Sequence, residues 1–388
     1  MVYKGKLLQD GREVAVKKVY TSEISAQEVT TLAELSKEKY SQNVVKYYLC
    51  EKDSCFTYLA LELCEGTLKD FFLGQGGFHD CDIAYKEILK NIADGLVFLH
   101  DHEIVHRDIK PENVLVSFPN PKAGGKRHFL LADLGIARQL SRGYFWTVRP
   151  CGTVGWLAPE VMNSNVKKAY KLDIFPAGCL FYYVFTKGMH PFGDVNEPVK
   201  CQKNIDDKSF SVPFESMVDN MAYGLDESDV ILTKDLIASM ICRDDTERNN
   251  ASQVVSHPLI WNAQETLDFF HRVGNFIKSN ELKKTKTKNY ENFNERLEEN
   301  AANVIGRDGD WLLRMDKVLR NDVGWLKKHR KEVTGIVQTI RNKGEHYHEF
   351  GDEKKELYGE YPEGFLKYFT SRFPLIVLET YKAYKSIS

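Results

Sequence analysis

The spacing of hydrophobic positions changes twice along this chain. Near the start, "REVAVKKVY" alternates apolar and polar residues, and "FTYLALELC" is a second β-rich run, so both predict strands. Between them, "SAQEVTTLAELSK" sets Val29, Leu32, Ala33 and Leu35 at helical spacing. From Gly66 to about Trp261 helical patterns dominate, in "AYKEILKNIADGLVFLH", "KLDIFPAGCLFYYVFTKG" and "VILTKDLIASMIC". The proline of "SHPLIW" closes that block. Beyond it, "NAQETLDFFHRVGNFIKS" and "EGFLKYFTSRFPLIVLETYKAYK" are amphipathic, strand-like runs vanish, and "KKTKTK" at 283–288 reads as an exposed loop. The expected class is α+β: a small β-rich lobe over about 1–63, a larger helical lobe over about 64–262, and an all-α segment over 263–388. No long linker separates the last two, which are expected to pack as one unit.

Composition narrows the picture. At 388 residues and 43% hydrophobic, the chain has room for two or three domains with real cores. The eight cysteines form no CxxC pair and several sit in apolar runs such as "AGCLFYYVF", which predicts buried free thiols rather than zinc ligands. The longest apolar run, "IFPAGCLFYYVF", is too short to span a bilayer and predicts a core helix. No signal core opens the chain. A net charge of −2 excludes a molecule that is basic throughout. Lys278–His346 nevertheless carries sixteen Lys/Arg against eleven Asp/Glu, compatible with an RNA-facing surface and equally with a solvated helical face.

The most specific chemistry lies in "HRDIKPENVLV". Moving a γ-phosphoryl group needs a carboxylate at the attacking hydroxyl, a cation on the phosphate and oxygen ligands for magnesium. Asp108 suits the first role, Lys110 the second, and Asn113 is placed to hold the metal. Twenty residues on, "LADLG" supplies Asp133 as a second magnesium ligand. Upstream, Lys17 of "VAVKK" suits the α/β-phosphates, and Glu28 on the predicted helix can pair with it. Glu62 and Cys64, where the second strand ends, are further nucleotide-binding positions. Glu160 of "APE" and Arg248 suit a buried ion pair. Arg107 suits a loop controlled by phosphorylation, with Ser141 and Thr147 as acceptors. The pattern resembles the protein kinases over roughly 1–262, which implies ATP and Mg²⁺ as cofactors. Two departures stand out: the Gly-rich loop expected before "VYKGKL" is not within these residues, so either the chain is a fragment or nucleotide is held less firmly. "DLG" also replaces "DFG".

In the tail, "RKEVTGIVQTIRN" places Val333, Ile336, Val337 and Ile340 on one helical stripe. Arg341 and Asn342 fall at its end, Gly344 is expected just past it in a left-handed cap, and His346 lies on the turn beyond. There the negative end of the helix dipole favours positive charge. Histidine, arginine and an amide suffice for RNA cleavage without metal: the imidazolium protonates the leaving 5′-oxygen and the guanidinium steadies the phosphorane. Capping alone also explains such residues at a helix end.

The whole chain resembles the unfolded-protein-response sensor kinase/endoribonucleases of the inositol-requiring type, and more distantly ribonuclease L. The resemblance rests on "IVHRDIKPENVLVS", "GTVGWLAPEVM", "LDIFPAGCLFYYV", "GDWLLRMD", "IRNKGEHYHEF" and "FLKYFTSRFPLIVLETYKA". It implies that Arg341, Asn342 and His346 are nuclease residues and that Trp311 matches a tryptophan of that domain, where simple core packing is an equal reading. It implies ATP, an RNA substrate and further copies of this chain as partners, with nucleotide and autophosphorylation favouring the dimer, and no DNA. A cytosolic location follows, at the endoplasmic reticulum membrane only if a longer N-terminal part exists. The family's nuclease tyrosine has no counterpart between Trp311 and Tyr347; Lys328 and His329 occupy that neighbourhood, and Gly335 stands where ribonuclease L has an aspartate. The alternative reading is a pseudokinase-like module that binds nucleotide and dimerises with weak or absent catalysis.

Overall fold

A computed structural model describes residues 1–22, 41–75, 78, 83–121, 124–134, 137–139, 151–162, 169–215, 225–283, 286–321 and 324–387. Glu28 with its expected helix, Ser141 and Thr147 lie outside the described residues. The chain divides into two compact units: Met1–Gly224 with Leu236–Ser256, and Leu225–Asp235 with His257–Ser388. Among the described residues no helix is long and apolar enough to cross a membrane.

In the first unit, β1 (Val2–Lys6), β2 (Glu13–Tyr20), β3 (Tyr47–Lys52) and β4 (Phe56–Glu62) form one antiparallel sheet in the order β1-β2-β4-β3. Lys17 lies opposite Leu59 of β4 and Val2 of β1, in the middle of three paired strands. Such a position fixes the backbone under a functional side chain. Beyond Glu62 the chain makes the short strand β5 (Gly66–Thr67) and helix α1 (Leu68–Leu73), whose start Thr67 and Asp70 close as a capping box.

Helix α2 (Tyr85–Asp101) buries Ile88, Leu89, Ile92, Ala93, Leu96 and Leu99 on one face. That is the stripe its sequence period demands. Helix α3 (Lys171–Phe185) is buried at every position, as the apolar run from Ile174 onward requires. Around these helices sit two small sheets. One is β5 with β7 (Val114–Val116) and β8 (Phe129–Leu131); the other pairs β6 (Ile104–Val105) with β9 (Arg138–Gln139). They place the loops after β6 and β8 side by side.

The second unit is helical among the described residues. Asn262 and Glu265 form a capping box that starts α4 (Ala263–Glu281). Thr287 caps α5 (Lys288–Glu298), so the expected loop at 283–288 gives way to helix at its last residue. Helix α6 (Val333–Glu345) buries Val333, Ile336, Val337 and Ile340 as predicted. Its first-turn N–H groups find no cap in Glu332. Glu298 supplies one from α5, accepting from Val333 N at 2.9 Å and Thr334 N at 3.0 Å. Gly344 differs from expectation: it is inside α6, and His346 ends the helix with φ −105° and ψ 14°. A Cβ at Gly344 would meet the Phe365 ring at 3.5 Å, an ordinary van der Waals contact, so packing does not demand the glycine. Helices α7 (Glu363–Thr370) and α8 (Ile376–Lys385) complete the unit through Phe365, Phe369, Phe373 and Ile376, all without exposed surface.

Candidate functional sites

Asp108 sits in a loop whose backbone is bent by a left-handed residue, Arg107, at φ 72°. A non-glycine residue there costs on the order of 1–3 kcal/mol and persists only if its surroundings impose it. Asp173, from the first turn of α3, does so. Its carboxylate has no exposed surface and accepts from His106 N at 2.8 Å and Arg107 N at 2.7 Å, with His100 Nε2 at 2.9 Å. His106 in turn is tied to the carbonyl of Ala132 at 2.9 Å, which couples this loop to the one after β8.

The business end of the loop is a closed polar network. Asp108 accepts from Thr153 Oγ1 at 2.6 Å through Oδ1 and from Asn113 Nδ2 at 2.8 Å through Oδ2, and Lys110 Nζ lies 3.0 Å from that same Oδ2. Lys110 also donates to Thr153 at 2.5 Å. Asn113 is buried, and its carbonyl takes the N–H of Ala132 at 2.9 Å, which brings it beside the strand end that carries Asp133. Asp133, itself left-handed at φ 62°, accepts from Lys17 Nζ at 2.5 Å. Thus Lys17, Asp108, Lys110, Asn113 and Asp133 converge from three separate stretches of sequence.

Magnesium prefers oxygen donors, uses one or two carboxylate-type ligands and leaves its other positions to water and phosphate. Asn113 turns its amide N–H groups on Asp108, leaving Oδ1 as its free-facing acceptor, and Asp133 supplies a carboxylate with solvent access. Two such donors fit that ion. At the end of β4, Glu62 N donates to the carbonyl of Lys46 at 2.8 Å, and its side chain accepts from Lys46 N at 3.3 Å. Cys64 follows, half-buried; burial first and the nearby Glu62 second push its thiol up to about 12, so it is an inert apolar lining residue. Farther back, Arg248 grips Glu160 at 2.6 and 3.0 Å and caps the carbonyls of Cys242 and Lys171, the buried pair that the sequence suggested.

In the second unit, Arg341 and Asn342 occupy the last turn of α6 and His346 ends it. Gly274 of α4 admits the arginine stem: a Cβ at 274 would sit 2.7 Å from Arg341 Cβ and Cγ. The guanidinium reaches Asn275 Oδ1 through Nε at 3.0 Å and Nη2 at 2.7 Å, and Asn342 Oδ1 through Nη1 at 2.8 Å. Its remaining edge faces Glu345, with Nη1 at 2.5 Å and Nη2 at 3.2 Å. His346 is 55% exposed and not in apolar packing; its Nδ1 lies 3.0 Å from Glu349 Oε1, which leaves Nε2 on the solvent side of the ring. Trp311 has no exposed surface and donates Nε1 to the carbonyl of His329 at 2.9 Å, a structural anchor for the turn before α6. His329 bonds Glu332 at 2.7 Å. Gly335 cannot be an aspartate here: a Cβ would meet His329 O at 2.5 Å and Trp311 Nε1 at 2.9 Å.

Sequence reasoning passed over Thr153, Asp173, Asn275 and Glu345. Thr153 carries a readable sign, since "GT" precedes "APE" by a short fixed step. The other three are single polar residues whose importance depends on contacts with distant stretches.

The protein kinase domain family matches residues 1–260, and the ribonuclease 2-5A family matches 266–388. The serine/threonine-protein kinase/endoribonuclease ire-1 of Caenorhabditis elegans is 34% identical over 99% of this chain and 37% of its own length. The serine/threonine-protein kinase/endoribonuclease IRE2 of Homo sapiens is 31% identical over 99% of this chain and 39% of its length. A Schizosaccharomyces pombe relative, named a sensor for unfolded proteins in the ER, is 28% identical over 100% of this chain and 37% of its length. The chain therefore spans well under half of the curated relatives it matches. With the candidate phosphotransfer residues converging in one unit and a ribonuclease 2-5A match over the other, the chain belongs to the protein kinase family, in its kinase/endoribonuclease branch of the inositol-requiring type.

Proposed function

We propose that this chain is an ATP-dependent serine/threonine kinase joined to a metal-independent endoribonuclease. Nucleotide binding and autophosphorylation, with Ser141 and Thr147 as acceptors, favour a dimer that cuts RNA in unfolded-protein-response signalling. The fission-yeast relative's name supports the pathway. In the kinase reaction, Asp108 accepts the proton of the attacking hydroxyl, and Lys110, steadied by Thr153, balances charge on the transferred phosphoryl group. Lys17 takes the α/β-phosphates, and Glu62 and Cys64 border the base. Asn113 and Asp133 would hold Mg²⁺, which when bound neutralises phosphate charge.

In the nuclease reaction, the 2′-hydroxyl of the substrate gives its proton to solvent water as its oxygen attacks phosphorus, the 5′-oxygen leaves, and a 2′,3′-cyclic phosphate remains. His346 gives that oxygen its proton, and Arg341 and Asn342 hold the phosphate oxygens as charge builds. The single observation that carries this reading is His346 standing exposed one turn beyond an arginine braced by Asn342 and Asn275.

Purified chain incubated with labelled ATP/Mg²⁺ and a stem-loop RNA tests both halves together. His346→Ala should lower cleavage about 10²- to 10⁴-fold while phosphate incorporation persists, and Asp108→Ala should abolish incorporation. Unchanged cleavage in His346→Ala rejects the nuclease assignment. No incorporation by the parent chain would leave the nucleotide-gated binding module.

A further inference from the structure

We infer that Glu345 is an internal competitor of the RNA phosphate at Arg341, and so sets how tightly this chain holds a phosphodiester. The inference rests on the nuclease reading above. A guanidinium has five N–H donors in a rigid fork. Four hydrogen bonds hold Arg341: Nε and Nη2 to Asn275, Nη1 to Asn342 and Nη2 to Glu345, whose other oxygen forms an ion pair with Nη1 at 2.5 Å. The Nη1/Nη2 edge is the one that matches two oxygens of a carboxylate or phosphate side by side. Glu345 fills it with the same charge and the same oxygen spacing that a phosphodiester would bring. For the phosphate to bind there, that carboxylate has to leave.

The three acceptors differ in how easily they let go. Asn275 reaches in from α4, next to Gly274, whose missing Cβ admits the arginine stem, and Arg341 is only 11% exposed on its side chain. Those contacts fix the arginine. Glu345 is 35% exposed and stands at the last residue of α6, so its side chain is free to swing into solvent. It also has a second partner within reach: His271 Nε2 of α4 lies 3.8 Å from Glu345 Oε1.

Helix energetics do not account for this residue. An acidic side chain at a helix C-terminus meets the negative end of the dipole, and an i,i+4 pair with the cation on the N-terminal side is the weaker orientation. Glu345 is badly placed to stabilise α6 and well placed to occupy the arginine.

The test is RNA binding, read without cleavage. A fluorescent stem-loop RNA, 2′-O-methylated throughout so that it cannot be cut, is titrated against the full chain by anisotropy. Glu345→Gln and Glu345→Ala should each bind about three- to fivefold tighter than the parent, the effect expected for releasing one partly exposed ion pair. In an Arg341→Ala background the same substitutions should change nothing. Unaltered or weaker binding by both single variants overturns the inference. So does a gain that survives loss of Arg341, since that would report only net charge. Cleavage of the unmodified RNA by the parent chain is assayed in parallel: its absence rejects the nuclease reading, whereas cleavage with no binding gain rejects the role of Glu345 alone.

Discussion

In the first unit Asp108 is held from behind by Asp173, a carboxylate with no exposed surface that fixes two consecutive N–H groups of the catalytic loop. In the second, Arg341 and His346 ride on the last turn of α6, and the carboxylate that braces that helix, Glu298, acts at its opposite end. Both carboxylates do one job, accepting adjacent backbone N–H groups from a remote segment. Asp173 holds a left-handed loop that no local preference would form; Glu298 caps a helix whose apolar stripe would form it anyway. The consequence is a difference in how far damage spreads. Loss of the first brace should reach the reacting groups, and loss of the second should stay local.

Asp173→Ala offers the sharpest break. It strands the buried N–H groups of His106 and Arg107 and removes the partner of His100, a set worth about 3–5 kcal/mol of stability to the first unit. Amide exchange over residues 104–113 should rise with it, and phosphate incorporation should vanish even under conditions where the unit stays folded. Retained incorporation with a merely lower melting temperature would mean that the loop keeps its shape unaided, and the contrast with Glu298 would dissolve.

The same contrast explains what could be read from sequence. Periodicity located β2, β4, α2, α4 and α6, because their buried faces repeat at the period of the backbone itself, and α3 was located by its apolar run. "HRDIKPEN" offered the candidate phosphotransfer residues because that chemistry calls for particular side chains close together in sequence. Asp173 was invisible: it is a polar residue in an apolar run, and its worth lies in contacts sixty-six and sixty-seven positions away. Asn275 and Glu345 were invisible for a similar reason, since the approach of α4 to α6 is set by Gly274 and by packing. The end of α6 was misplaced because Gly344 looks like a cap, whereas the helix runs through it to Glu345.

A second, smaller test uses pH on the first unit. His190 is buried against Trp156 and Phe192, and burial drives its pKa down from 6.5 to about 3. The folded state therefore resists protonating it, while the unfolded chain does so at the ordinary value. Its contribution is present above pH 6.5 and is lost as pH falls from there toward 3, by about 1.4 kcal/mol for each pH unit. Between pH 7 and pH 5 this removes about 2 kcal/mol, a loss that His190→Gln should lack. Urea midpoints of the two proteins should thus converge as the solution is acidified; parallel midpoints would show that the imidazole takes a proton without opening the core.

Glu298 should answer pH with the opposite sign and a smaller size. Burial is the largest influence on it and pushes its carboxyl above the ordinary 4.5, only partly offset by the two backbone N–H groups it accepts. A raised carboxyl means that the folded protein binds more protons than the unfolded chain in the interval above 4.5. Stability from this residue is therefore complete below that value and declines as pH rises through the folded pKa. Glu298→Gln keeps an acceptor for one N–H and no longer titrates, so it should cost about 0.5–1 kcal/mol at acid pH, in the range of a weakened helix cap. That deficit should shrink as pH rises, because only the parent loses stability. Protection of the amides at 333–337 in α6, compared between parent and variant across the interval, measures it directly. A deficit that widens with pH would mean the charged carboxylate is the better brace, and that the two units rely on buried negative charge in the same way.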